Sequence, residues 1–61
     1  MKRKDLVKQL AAEGCVLLRH GSRHDVYLNP KNGMKQPVPR HSEIDDKLVK
    51  HIKQYLGLED R

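Results

Sequence analysis

The 61-residue chain has no tryptophan, no phenylalanine and only two tyrosines. That scarcity argues against a nucleic-acid reader built on stacked aromatic rings. Cys15 is the sole cysteine, so no internal disulfide can form, and no compact Cys/His cluster has zinc-site spacing. Apolar runs stay far below the length of a membrane span or signal segment. A glycine-rich phosphate loop is also missing, which sets aside nucleoside-triphosphate chemistry. A chain this short, without disulfide or metal, sits near the lower limit for folding alone. The reading is one domain over residues 1–61, with a thin aliphatic core, no cofactor and no metal, in a reducing, cytoplasmic setting.

Positive charge is what the chain has in quantity. Lys and Arg number 13 against 8 Asp and Glu, a formal net charge of +5. Such a field draws polyanions at long range and speeds their encounter. Nucleic acid is the favoured partner class, an acidic protein surface is the rival, and no membrane partner is expected.

Hydrophobic spacing orders the chain. Leu6, Val7, Leu10 and Ala11 form one helical stripe, with Lys2, Arg3, Lys4, Lys8 and Gln9 opposite, which predicts a helix from about Arg3 to Glu13 stopped by Gly14. Cys15 to Arg19 reads as a strand, Gly21-Ser22 as a turn, and His24 to Asn29 as the second strand of a hairpin. Asn29-Pro30-Lys31-Asn32-Gly33 is a turn before a third strand, Met34 to Val38. Pro37 and Pro39 should place that strand at an edge. Ser42, with Asp45 three residues on, suggests a capped second helix. Its apolar stripe would be Ile44, Leu48, Val49, Ile52 and Leu56, with Gly57 as the stop. The predicted class is α+β in the order α-β-β-β-α, a three-stranded antiparallel sheet with both helices on one face.

Four histidines are candidates for chemistry. His51, beside Lys50 and Lys53, reads as a surface residue; His20 as a turn residue; and His41, after Pro39-Arg40, as a brace for the helix entry. His24 opens a strand just past a glycine turn, and Arg19, Arg23 and Arg40 are available to neutralise a phosphate near it. An imidazole changes charge near neutral pH, so one ring can accept and then return a proton. Alternation sets a condition: His24 shares a face with Val26 and Leu28, while Asp25, Tyr27 and Asn29 take the other. Either a bulge re-aims His24, or the helices cover the Tyr27 face instead. Strand alternation leaves both open.

The pattern Glu13-Gly14-Cys15, Gly21-Ser22-Arg23-His24, Tyr27 with Asn29-Pro30, Gln36-Pro37-Val38-Pro39-Arg40-His41 and Leu56-Gly57-Leu58 resembles the HicA (YcfA-like) family, the toxin half of bacterial toxin–antitoxin pairs. The resemblance spans nearly the whole chain. It implies a fold like that of double-stranded-RNA-binding domains, an endoribonuclease cleaving mRNA, and a HicB-like antitoxin that covers the active site. It also implies that His24 is catalytic. The family often has a second histidine or a small polar residue where this chain has Arg23, which removes any helper role that such a residue would bring to position 23.

On this reading His24 takes the proton from the RNA's own 2′-hydroxyl, with no metal needed. The supporting or RNA-binding set is Gly21, Ser22, Arg23, Lys31, Lys35, Arg40 and His41. Two alternatives come from other classes. A non-catalytic double-stranded-RNA-binding module would want lysines at the start of its last helix, where this chain has Glu43, Asp45 and Asp46. Its grip would then fall to residues such as Lys2, Lys4, Lys31 and Lys35. The other alternative is a basic adaptor that docks to an acidic partner.

Overall fold

The computed structural model describes residues 1–58. The order is α1 (Arg3–Ala12), β1 (Val16–His20), β2 (His24–Asn29), β3 (Met34–Pro39) and α2 (Asp46–Tyr55). The sheet is antiparallel in the order β1-β2-β3, so β2 is central and the proline-bearing β3 is an edge, as expected.

One apolar layer joins the helices to the sheet. Leu6 and Leu10 of α1, Val49 and Ile52 of α2, and Ile44 and Leu56 pack with Cys15, Tyr27 and Val38. Each fully buried leucine or isoleucine contributes on the order of 1.5–3 kcal/mol. α2 lies chiefly against β3. Burial of Tyr27 and Val38 fixes which sheet face is covered: Asp25, Tyr27 and Asn29 are buried, whereas His24 is exposed and Val26 and Leu28 are half-buried. The second of the two arrangements allowed by alternation is therefore the real one. His24 stands on the open face without any bulge in β2.

A bulge does occur, but in β1. Leu17 pairs with Tyr27 and Arg19 with Val26, so Leu18 is the extra residue. Regular pairing would set Arg19 opposite Asp25; the inserted residue sets His20 there instead. β1 is also the more open edge. Val16, Leu17 and Leu18 are each about half exposed, at 49%, 50% and 48%.

Helix ends differ in part from expectation. α1 stops at Ala12, and Gly14 takes φ 90°, which glycine adopts without strain; Cys15 N–H then donates back to the Leu10 carbonyl at 2.9 Å. Ser42 is not the cap of α2. The helix begins at Asp46, after Asp45, and no side-chain cap bond is formed. The reason lies in residues 42–44, which run extended against the start of the chain. Arg3 N–H donates to Ser42 O at 2.9 Å, Ile44 N–H to Met1 O at 2.8 Å, and Lys2 bridges Glu43. The first of those bonds serves the leading N–H of α1, and together they drop Ile44 into the core, which one more helical turn would prevent. No helix among the described residues is long and apolar enough to cross a membrane.

Candidate functional site

Where β2 begins and β3 ends, Arg23, His24, Arg40 and His41 line one open cleft of about 520 Å³. The geometry follows from pairing: His24 stands opposite Pro39, so the residues that follow Pro39 emerge beside it. Two imidazoles and two guanidinium groups thus share a rim. Pro39 is buried, which fixes the exit direction of Arg40-His41.

Gly21 closes the β1–β2 turn. Its N–H donates to the His24 carbonyl at 3.0 Å, and a Cβ there would fall 2.4 Å from that same oxygen. Only glycine fits so close to another backbone atom. Ser22 and Arg23 are exposed in the turn.

Directly behind the cleft lies a polar cluster centred on Asp25, which is only 5% exposed. Its carboxylate accepts from Arg3 Nη2 at 2.7 Å and from Arg40 Nε at 3.0 Å, and His20 Nδ1 lies 2.8 Å away. The Arg40 guanidinium also donates to the Gly21 carbonyl, and Arg3 Nε donates to the Pro39 carbonyl at 2.9 Å. Burial alone would raise the Asp25 pKa. The Arg40 hydrogen bond and charge, followed by the charges of His20 and Arg3, outweigh that and hold it below the ordinary carboxylate value.

The other sequence-derived residues fall elsewhere. Lys35 sits on the open sheet face with Leu18, Arg19 and Val26, in a separate depression. Arg19, one of the three arginines considered near His24, belongs to that depression and not to the cleft. Lys31 lies in the β2–β3 turn, at the opposite end of β2. His51 stacks on Tyr55 of α2, ring centroids 4.1 Å apart. Cys15 is buried, and burial followed by the Glu13 carboxylate pushes its thiol pKa up, the reverse of what a nucleophile needs. Among the described residues, no group of three or more His, Cys, Asp or Glu side chains is placed to hold a metal ion.

Asp25, Arg3 and His20 were not legible as site residues. Alternation puts Asp25 on the Tyr27 face, where a carboxylate requires cationic partners. That was a usable signal, but Arg3 is 22 residues away in sequence and nothing local announces it.

Fold and cleft together define a small basic α+β protein whose open sheet end can neutralise a phosphate and exchange a proton beside it. The family model described as HicA toxin of bacterial toxin–antitoxin matches residues 3–58. The chain therefore belongs to the HicA toxin family. Comparison with curated proteins and with solved structures returns no match.

Proposed function

We propose that this toxin-family protein is an endoribonuclease that cleaves mRNA, with His24 moving the protons and a HicB-like antitoxin as its inhibitory partner. The cleft carries the reading. It sets His24, exposed at the start of β2, beside Arg23, Arg40 and His41 at one open end of the sheet. A strand of RNA reaches that end without any part of the fold opening.

In the reaction, His24 accepts the proton of a 2′-hydroxyl as its oxygen forms a bond to the adjacent phosphorus. The bond from phosphorus to the 5′-oxygen breaks, and that oxygen takes up the proton that His24 has accepted. The products are a 2′,3′-cyclic phosphate end and a 5′-hydroxyl end. Arg23 and Arg40 stabilise the charge that gathers on the phosphoryl oxygens. The nucleophile comes from the substrate, so no resident metal is required by this chemistry.

The test replaces the 2′-hydroxyl at a mapped cleavage site by hydrogen. Cleavage should stop at that linkage only, the normal product should carry a cyclic phosphate, and a divalent-ion chelator should leave the rate unchanged. Cutting at the 2′-deoxy linkage overturns the mechanism. Retention of duplex RNA with no cutting at all would favour the non-catalytic binding module, a reading that the exposed Glu43, Asp45 and Asp46 before and at the start of α2 oppose.

A further inference from the structure

We propose that Asp25 is a positioning residue for the His24 cleft, holding the Arg40 guanidinium at its rim before any RNA arrives. The inference rests on the ribonuclease reading above and adds to it the group that orients its phosphate-binding arginine.

Three parts of the chain meet at this carboxylate, Arg3 from α1, His20 from the end of β1 and Arg40 from beyond β3, and Arg40 links it to the Gly21 carbonyl of the turn. Arg40 is thereby held at two points. Its Nε and Nη2 both lie 3.0 Å from Asp25 Oδ1, and its guanidinium also reaches Gly21. Gly21 in turn binds the backbone of His24. One carboxylate therefore fixes the relation between an arginine and a histidine that border the same cleft.

The charges favour this role over plain ion pairing. Two guanidinium groups surround one carboxylate, so positive charge remains unneutralised next to the cleft even with His20 neutral. Arg3 faces Oδ2 and ties to Pro39, which serves the fold. Arg40 faces Oδ1 and lines the cleft, which serves the site. An arginine whose orientation is already fixed loses little freedom when it meets a phosphate, so its contribution to the transition state is larger.

The experiment is a double-mutant cycle on the full chain: Asp25→Asn, Arg40→Ala and the pair, assayed on one RNA where circular dichroism shows each variant folded. Arg40→Ala should lower kcat about a hundredfold. Asp25→Asn should lower it about tenfold or more with KM nearly unchanged, and should add nothing in the Arg40→Ala background. A second readout needs no turnover. The Arg40 Nε–H resonance in ¹⁵N NMR should be resolved in the native protein and be broadened or moved in Asp25→Asn. Equal effects of Asp25→Asn with and without Arg40 overturn the proposal, as does an Arg40 resonance indifferent to Asp25. If the native protein cuts no RNA, the ribonuclease reading fails by itself, and the resonance still decides whether Asp25 holds Arg40. Should Asp25→Asn not fold, Arg40→Lys serves: it keeps the charge but loses the two-point hold, and its kcat should fall toward that of Arg40→Ala.

Discussion

The two ends of β2 each bury one polar side chain on the helix-covered face, and they use it in opposite ways. At the far end Asn29, 3% exposed, donates from Nδ2 to the Leu56 carbonyl at 2.8 Å and accepts from Lys31 N–H at 3.1 Å. Asn32 donates to the same Leu56 carbonyl at 3.0 Å. A neutral amide there satisfies a carbonyl that the end of α2 leaves free, and it attracts no charge. At the near end Asp25 is just as buried but ionised, so it gathers two guanidinium groups and an imidazole from three directions. The amide closes a helix, while the carboxylate holds one guanidinium of the rim beside His24.

The sharpest break between the ends concerns chemistry. His24→Ala should lower RNA cleavage by about a hundredfold to ten-thousandfold while the melting curve stays in place, because the ring is exposed and packs against nothing in the core. Cleavage at the native rate would dismantle the assignment. Asn29→Ala should do the reverse. It removes one of the two amide donors to the Leu56 carbonyl, Asn32 keeping the other, and the acceptor of Lys31 N–H; at about 0.5–1.5 kcal/mol per lost bond the melting temperature falls by several degrees per kcal/mol in a domain of this size. Activity per folded molecule should not change. A larger fall in kcat than in folded fraction would mean that the two ends are coupled.

Acid should separate the ends further. The Asp25 carboxyl has a lower pKa folded than unfolded, so its stabilisation is in force above the unfolded value, about 3.9, and is lost as pH falls through the folded value. Stability of the native protein should fall as pH drops below about 4. The Asn29→Ala curve should run parallel and lower, and the Asp25→Asn curve should be flatter. Parallel native and Asp25→Asn curves would show that the carboxylate gains nothing from its cations. The smallest effect is expected at Lys31, in the turn beyond Asn29. Lys31→Ala should reduce RNA affinity no more than a few-fold and lower the salt slope by about one charge at most, with kcat unaltered.

Much of this molecule was open to reading before the fold was known. Leu6 and Leu10 at i and i+4 gave α1 its buried stripe, and Gly14 its end. Pro37 and Pro39 told that β3 is an edge, since proline withholds the ladder donor. His24 was singled out by its place after a glycine turn, and Arg23, Arg40 and His41 do share a cleft with it. Ser42 misled, because a cap signature is local while residues 42–44 are claimed by backbone pairing with the chain's first residues. Arg19 misled for a related reason: the bulge at Leu18 shifted it onto Val26 and put His20 on Asp25.

Periodicity and turn chemistry act over a few residues, so by itself the sequence determined the element order, the edge position of β3, the basic charge and the candidacy of His24. Which face of β2 the helices cover was decided by tertiary packing, because alternation is symmetric between two faces until a core claims one. The same packing brought Arg3 and Arg40, 37 residues apart, to one carboxylate. A buried charge finds its partners through space, and no spacing along the chain encodes them.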